Sequence, residues 1–396
     1  MPDTGLSDEQ EALRRSVAEF AREVVAPVAA HHDEQRSFPY EVVAAMARMG
    51  LFGLPFPERY GGMGGDLFSL CLAIEELARV DSSVAITLEA GCGLGAMPIY
   101  RFGTEEQRQR WLPALCAGEA LGAFGLTEPE AGSDAGGTRT SAELVDGAWV
   151  VNGSKSFITN SGTDITRLVT VTARTSPASS PSGRTSPSGG GGGPPREISA
   201  IVVPVPSAGL EVGPAYSKVG WHASDTHPLT LTDVRVPADH LLGERGRGYA
   251  NFLAILAEGR IAISALAVGL AQGCVDESVA YARSRRAFGQ PIASHQGIAF
   301  MIAEMEARTH VARTAYYDAA ARVLAGRPFA KEAAIAKLVS SAAAVDNARD
   351  ATQIHGGNGF MNEYPVARHW RDSKILEIGE GTSEIQKLLI ARHLGL

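Results

Sequence analysis

The sequence predicts an α+β protein with an N-terminal helical domain, a middle β domain of barrel or sandwich type, and a C-terminal four-helix-like bundle. Three observations support this prediction. Apolar residues first recur at helical spacing, β-branched runs bounded by Pro, Gly or Asp follow, and long Ala-, Ile- and Leu-rich stretches return from Tyr249 onward. We place the three domains at residues 1–120, 121–238 and 239–396.

The composition is that of a globular protein, and it excludes several classes of function. The chain has 396 residues, of which 45% are hydrophobic, and this length suits two or three domains. Its 36 basic and 44 acidic side chains form no block of like charge, so we predict no binding of nucleic acid. The four cysteines form no CxxC pair and the ten histidines show no ligand spacing, so we assign no metal and no disulfide framework.

The apolar runs are too short to suggest a membrane span. The longest, such as Ile261–Ala271, stay well below the ~20 residues that cross a bilayer. The N-terminus also lacks the basic-then-apolar pattern of a signal peptide. We therefore expect a cytoplasmic protein.

The N-terminal domain begins with an amphipathic helix. Ser7 and Gln10 form a capping box at its start. The apolar residues at helical spacing that follow are Leu13, Val17, Phe20 and Val24. Further helices are predicted within residues 39–50, 67–80 and 104–116, and Gly and Pro clusters separate them. The Gly91–Gly95 segment does not have GxGxxG spacing and follows no strand, so we do not predict a phosphate loop there.

The β domain begins with a predicted hairpin. Residues 148–159 suggest two strands around Asn152-Gly153, since Asn-Gly is the strongest short hairpin signal. Further strands are predicted at 167–173, 198–205 and 228–236. Residues 175–195 contain six Ser, five Pro and six Gly, which predicts a disordered hairpin loop, with a phosphorylated or partner-binding loop as the alternative. The C-terminal domain has long helical patterns at 251–283 and 328–352.

Five segments, in order along the chain, resemble the motifs of one enzyme family. They are FGLTEPEAGSD at 124–134, NGSKSFITN at 152–160, RRAFG at 285–289, QIHGGNG at 353–359 and EGTSE at 380–384. Together with KVGW at 218–221 and DVRVP at 233–237 they resemble the acyl-CoA dehydrogenase family over essentially the whole chain. The resemblance implies the same order of domains, FAD bound without a Rossmann fold, and a homotetramer in which two subunits reach each cofactor.

The resemblance also implies residues that bind the cofactor. Those along the flavin are Phe124, Leu126, Thr127, Ser133, Phe157, Ile158 and Thr159. Those toward the other end are Arg285, Gln296, Gln353, Ile354, His355, Gly356 and Gly357, and Thr382, Ser383 and Glu384 are further cofactor-binding residues. Many relatives have Trp where Phe157 stands. Taken singly, these residues also suit a capped turn, a half-buried strand or, for Arg285, a surface ion pair.

Glu380 stands at the position of the catalytic base in small- and medium-chain members. Other relatives place the base directly before an Arg on an earlier helix, but here Gly259 precedes Arg260. Glu258 is one residue out of register and is the alternative base. The resemblance further implies that Ser133, Gly259, Arg260 and Gly381 contact the substrate.

The resemblance implies α,β-dehydrogenation of an acyl-CoA in fatty acid β-oxidation, with electrons passed to an electron-transfer flavoprotein. The alternatives are an oxidase of similar fold that uses oxygen, and a non-catalytic flavoprotein that binds a partner or nucleic acid. Leu88-Glu89-Ala90, followed by residues 95–99, resembles the helix that floors the acyl pocket in medium-chain members. The preferred acyl group is left open by the sequence.

Overall fold

The structure is a computed structural model, and it describes residues 5–175 and 197–396. Helices occupy the N-terminal and C-terminal parts, and a mixed sheet lies between them in the chain. The predicted disordered loop falls, from residue 176 onward, outside the described residues.

The N-terminal part is helical, as predicted. Ser7 caps its first helix, where the Gln10 amide donates to the Ser7 hydroxyl and the Ser7 amide donates to the Gln10 side chain. The helices are α1 (Asp8–Phe20), α2 (Ala26–Gln35), α3 (Tyr40–Arg48), α4 (Leu67–Ala78), α5 (Ser82–Glu89), α6 (Met97–Phe102) and α7 (Glu105–Cys116). Wider π-helical turns at Ala21–Val25 and Ala90–Ala96 interrupt the series.

The first of these π turns corrects one predicted core position. Val17 and Phe20 are buried as expected, but Val24 is exposed and Val25 is buried in its place. A π turn closes i→i+5 hydrogen bonds and therefore adds a residue to one turn. The extra residue rotates the apolar face by one position.

The described residues of the middle part form an eight-stranded mixed sheet with a core of its own. The strands are β1 (Leu121–Gly125), β2 (Ser141–Val145), β3 (Ala148–Thr159), β4 (Thr166–Arg174), β5 (Ile198–Pro204), β6 (Leu210–Val212), β7 (Thr226–Pro237) and β8 (Leu241–Leu242). The order is β6-β7-β3-β2-β4-β5-β8, and β1 pairs with β4. Inward residues such as Val151, Val171 and Val203 form the core.

The predicted Asn152-Gly153 hairpin is wrong, because β3 runs straight through this dipeptide. The turn lies at Asp146-Gly147, where both residues have positive φ and Val145 pairs with Ala148. At Gly153 the pairing of β3 with β7 shifts register instead. A Cβ at Gly153 would overlap Thr140, so glycine marks a bulge here.

The C-terminal part is dominated by three long helices that pack on one another. The helices are α8 (Gly248–Ser284), α9 (Gln296–Leu324), α10 (Ala330–His355), α11 (Pro365–Ser373) and α12 (Ser383–His393). Short strands β9 (Arg286–Ala287) and β10 (Gln290–Pro291) pair between α8 and α9. One hydrophobic core joins the two helical parts, with Ile74 of α4 and Leu266 of α8 among its members.

Among the residues that the structure describes, two helical stretches are long and apolar enough to cross a membrane by length and composition. They are Ser82–Phe102 and Gly248–Ser284, and 89% and 72% of their apolar windows are buried inside the protein. The expectation that the apolar runs are too short therefore underestimated them. Burial against other helices identifies both stretches as core elements.

The three parts meet at α11. Arg371 of this helix donates to Asp33 of α2, at 3.0 Å between Nη1 and Oδ1, and lies 3.2 Å from His222 of the β part. The next residue, Asp372, accepts hydrogen bonds from the Trp221 amide at 2.6 Å and from the Ser82 hydroxyl at 2.8 Å. We call these six residues the three-part junction.

Candidate functional site

Glu380 lies in a tight turn between α11 and α12. It has a positive φ of 52°, and Gly381 follows with a φ of 94°. The carbonyl oxygen of Gly381 accepts hydrogen bonds from Lys337 at 2.9 Å and from Gln386 at 2.8 Å. The two carboxyl oxygens of Glu380 are buried. A left-handed backbone is uncommon for a residue other than glycine and is found mainly where the surroundings enforce it.

Gly259 of α8 lies directly against the Glu380 carboxyl group. A Cβ atom at position 259 would overlap Oε2 of Glu380. Arg260, the next residue, is buried beside the same carboxyl group. The two positions that the sequence singled out for a base therefore meet in space, and a side chain at position 259 would require the Glu380 carboxyl group to move.

Glu258, the alternative base, takes part in a different interaction. Its Oε1 accepts from Arg101 of α6 at 2.6 Å. This ion pair directs the carboxylate toward α6. The geometry favours Glu380 over Glu258.

A second acid, Glu89, lies beside Glu380 and was missed as a site residue by the sequence. It ends α5 and is fully buried. Within the described part of the chain, the carboxyl oxygens of this pair have no hydrogen-bond partner outside the pair. Two signals were available: the resemblance of Leu88-Glu89-Ala90 to the helix that floors the acyl pocket, and an acidic residue in an otherwise apolar helix, since buried carboxyl groups are rare.

The two acids differ in their affinity for a proton. Burial raises the pKa of Glu380 to about 7, although Glu89, Arg260 and Lys337 all act to lower it. Burial, and then the charge of Glu380, raises the pKa of Glu89 well above its ordinary value. Glu89 therefore keeps its proton, while Glu380 ionises near neutral pH. A desolvated carboxylate of this kind is suited to general base catalysis.

The predicted flavin contacts on the β part lie on two neighbouring segments. The Ser156 amide donates to the Thr127 carbonyl at 2.9 Å, which joins the segment after β1 to the end of β3. Phe157 has a positive φ of 61°, is 66% exposed and contacts the Tyr216 ring at 5.0 Å. An exposed aromatic residue in this backbone conformation offers a surface for a planar ring.

The remaining predicted contacts on these two segments differ in exposure. Leu126 and Ile158 place their side chains in the core, so their side chains are not free for a ligand. Phe124 is half-buried and stacks on Phe252 of α8 with ring centroids 3.9 Å apart. Thr127 and Thr159 are half-buried and Ser133 is exposed.

A buried ion pair crosses between these two segments. Lys155 of β3 donates to Oε1 of Glu128 at 2.8 Å and to the Leu126 carbonyl at 3.3 Å. Glu128 also accepts from Thr138 and from the backbone amides of Arg139 and Thr140. Burial alone would raise the pKa of Glu128, but Lys155 and these donors lower it to about 2. The pair was not predicted, because its partners are distant in sequence.

The predicted cofactor residues at 285, 296 and 353–357 lie near one end of the long C-terminal helices. Arg285 follows α8 and Gln296 begins α9, and both are exposed. Tyr281 of α8 connects them to α10: its carbonyl accepts from the Arg285 amide at 2.8 Å, and its ring stacks on His355 at 4.1 Å. Gln353, Gly356 and Gly357 are exposed, whereas Ile354 and His355 are buried.

A large cavity lies at the start of α12. Its volume is about 920 Å³, and Thr382, Ser383 and Glu384 line it together with residues of α9 and α10. Thr382 also caps α12, because its hydroxyl accepts from the Ile385 amide at 3.3 Å. Among the described residues, no cluster of three or more His, Cys, Asp or Glu side chains could hold a metal ion.

Models of the acyl-CoA dehydrogenase domains match three successive parts of the chain. The N-terminal domain matches residues 7–119, the middle domain 123–234 and the C-terminal domain 246–395. The order agrees with the helical, β and helical parts of the structure.

Individual relatives are similar over nearly the whole chain. A probable acyl-CoA dehydrogenase of Bacillus subtilis strain 168 is 47% identical over 389 residues, with 98% of each chain covered. The structure of butyryl-CoA dehydrogenase from Megasphaera elsdenii has 39% identity and a TM-score of 0.92, with 100% of each chain covered. A solved chain described with the electron transferring flavoprotein of Acidaminococcus fermentans has 38% identity and a TM-score of 0.91, with 99% of each covered.

Proposed function

This chain belongs to the acyl-CoA dehydrogenase family, and we propose that it oxidises a short-chain saturated acyl-CoA with FAD as cofactor and Glu380 as base. It is a flavin-dependent oxidoreductase that acts on acyl-CoA. The observation that carries the assignment of the base is the burial of Glu380 next to the side-chain-free Gly259.

The residues around Glu380 fit the removal of a proton from carbon. In the reaction the α C–H bond breaks and its proton goes to a Glu380 oxygen, while the β hydrogen leaves as hydride and the trans double bond forms. The flavin supplies the acceptor for that hydride. Exclusion of water around Glu380 raises its basicity, and Glu89 stays protonated, so it adds no second negative charge. Arg260 and Lys337 provide the positive charge that keeps Glu380 ionisable.

The donor set fits FAD. The hydroxyls of Thr127 and Thr159 suit hydrogen bonds to the flavin ring, and the exposed Phe157 suits its face. The exposed guanidinium of Arg285 suits a pyrophosphate, and Gly356 and Gly357 leave the backbone open to close approach. The remaining contacts that we propose for the cofactor are Phe124, Ser133, Gln296, Gln353, Thr382, Ser383 and Glu384, together with the backbone of Leu126, Ile158, Ile354 and His355, whose side chains are buried. For the substrate we propose Ser133, Gly259, Arg260 and Gly381.

The substrate and the acceptor follow from the relatives. The similarity to a butyryl-CoA dehydrogenase over the whole chain supports a short acyl group. The similarity to a chain described with an electron transferring flavoprotein supports such a protein as acceptor. We also propose that the protein forms a homotetramer and is located in the cytoplasm. Its domains are proposed to end at residues 120 and 238.

The proposal is tested with Glu380→Gln. The amide keeps the size of the side chain but cannot take the α proton, so reduction of the flavin by butyryl-CoA should slow by about 10²- to 10⁴-fold. The measurement is anaerobic single-turnover bleaching of the bound flavin, and mass analysis of the released cofactor should identify FAD. Glu211→Gln, an exposed change on β6, is the matched control and should react as the wild type does.

Two outcomes would contradict the proposal. Bleaching of Glu380→Gln at the wild-type rate, with loss of activity in Glu258→Gln, would move the base to Glu258. Reoxidation by oxygen that is faster than by an electron-transfer flavoprotein would make the protein an oxidase. If Glu380 only capped a turn, its substitution would lower the stability of the protein by about 0.5 to 2 kcal/mol and would leave the rate of flavin reduction unchanged.

A further inference from the structure

The turn that carries Glu380 adopts a backbone conformation that its sequence does not favour. Glu380 and Gly381 have successive positive φ angles of 52° and 94°. For glutamate this region is disfavoured by contact between Cβ and the backbone, and such residues persist only where the surroundings hold them. The surroundings that hold this turn include the two hydrogen bonds to the Gly381 carbonyl.

Of the two donors, Lys337 comes from a separate element. It lies on α10, is fully buried and donates a hydrogen bond of 2.9 Å to the Gly381 carbonyl. Gln386, the other donor, belongs to α12, which begins right after the turn. Lys337 therefore ties the turn to α10 through this hydrogen bond.

Lys337 also contributes charge at this place. It faces Glu380, Glu377 and Glu384, with Arg260 as the nearby cation. Burial lowers the pKa of Lys337 to about 8, so the ammonium group is still charged at neutral pH.

The carboxyl group of Glu380 is faced by ionisable groups from three elements, of which Glu89 is neutral and the other two are cations. Glu89 approaches it from α5, Arg260 from α8 and Lys337 from α10. In a buried site each cation stabilises the ionised form of an acid more than it would in water. Loss of Arg260 or Lys337 would therefore destabilise the ionised form of Glu380 and raise its pKa.

We propose that Lys337 is a positioning residue for Glu380: its ammonium group holds the Glu380–Gly381 turn through the Gly381 carbonyl and supplies positive charge beside the carboxylate. This inference rests on the proposed role of Glu380 as the base. Lys337 does not itself touch the reacting atoms. It helps to set the pH at which the carboxyl group of Glu380 ionises.

The test compares Lys337→Met, which keeps the length of the side chain, with Lys337→Arg, which keeps the charge and a donor. The rate of anaerobic flavin reduction by butyryl-CoA is measured against pH. In Lys337→Met the apparent pKa of this rate should rise by about one unit, because a nearby opposite charge has been removed. The rate on the high-pH plateau should also fall, because the turn has lost a hydrogen bond. Lys337→Arg should recover most of the shift.

Lys331→Met is the matched control, since Lys331 lies on the same helix with its side chain 41% exposed. It should leave the pH profile unchanged. If Lys337→Met does not fold, Lys337→Gln replaces it: the amide retains a donor without charge, so the pKa should still rise.

A second readout does not depend on turnover. The folded-state pKa of Glu380 is about 7 and lies above its ordinary value of 4.5, so the folded protein binds more protons in this range. Stability from this group is present at low pH and is lost as pH rises from about 4.5 to about 7. In Lys337→Met the decline in melting temperature should continue to higher pH than in the wild type or in Lys331→Met.

The outcomes separate this inference from the proposed function. If Glu380→Gln is inactive while Lys337→Met, or Lys337→Gln in its place, keeps the wild-type pH profile and plateau rate, Lys337 has no positioning role and Glu380 remains the base. If Glu380→Gln bleaches normally, the proposed base is wrong and the inference about Lys337 fails with it.

Discussion

At the scale of single residues, the site depends on the absence of a Cβ atom at Gly259. Gly259 and Glu380 come from distant parts of the sequence, yet a single Cβ at position 259 would occupy the space of a Glu380 oxygen. The helix around Gly259 is regular and buried. Glycine is unfavourable inside a helix by roughly 0.5 to 1 kcal/mol relative to alanine. Its presence at this position leaves room for the carboxylate of Glu380.

We expect Gly259→Ala to reduce activity although it favours the helix. The added methyl group must displace the Glu380 carboxylate, and a misplacement on the order of 1 Å can slow a reaction by about 10²-fold. Single-turnover flavin reduction measures the loss. Gly297→Ala is the control, since nothing lies within 4 Å of a Cβ built there. Equal rates in the wild type and Gly259→Ala would show that the base tolerates displacement.

At the scale of elements, the Lys155–Glu128 pair fixes the segment after β1 to the end of β3. These are the two segments that carry Thr127 and Thr159. Both partners are almost completely buried, and Glu128 is saturated with donors. A buried ion pair is not in itself strong evidence for stability. Removal of one partner, however, leaves the charge of the other partner buried and unpaired.

We expect Lys155→Met to destabilise the protein by about 3 to 5 kcal/mol, because it strands the Glu128 carboxylate in the interior. The double variant Lys155→Met/Glu128→Leu should recover much of that loss, since both charges are then absent. Urea unfolding of the two variants and the wild type gives the comparison. A double variant as unstable as the single one would point to packing rather than charge.

At the scale of the whole molecule, the three-part junction contains an acid with an unusual proton affinity. Asp372 is fully buried, and burial, followed by the charge of Asp81, raises its pKa to about 7. The folded-state value lies above the ordinary value of 3.8, so the folded chain binds more protons between them. The contribution of Asp372 to stability is therefore complete at low pH and is lost as pH rises through this window.

We expect Asp372→Asn to remove this part of the pH dependence. From about pH 4 to about pH 7 the wild type should lose on the order of 4 kcal/mol through this group, a loss that the uncharged amide does not undergo. Urea midpoints measured across that range test the difference in slope. Asp146→Asn, in an exposed turn where Asn suits a positive φ, should keep the wild-type slope. Parallel curves for Asp372→Asn and the wild type would contradict the assignment.

The sequence predicted local structure well where the cause was local. The capping box at Ser7, the helix over 104–116 and the strand over 228–236 follow from nearby residues, and all are present. The turn at Asn152-Gly153 failed because the pairing of β3 with β7 extends past it, and that pairing involves a distant strand.

The candidate site divides in the same way. Glu380 and Gly259 were recognisable from motifs, whereas Glu89 and Lys337 become site residues only when α5 and α10 are packed around the turn. A lysine within an alanine-rich stretch resembles a solvated helix face. Its burial is a property of the assembled bundle and leaves little trace in local sequence.

The junction at α11 also links catalysis to the completion of folding. The helix that Asp33, Trp221 and Ser82 hold in place leads directly into the turn that carries Glu380. A chain in which one of the three parts has not docked lacks part of the support for the turn that carries the proposed base. We therefore expect a partly folded or proteolytically cleaved polypeptide to be inactive even when its Glu380 is intact.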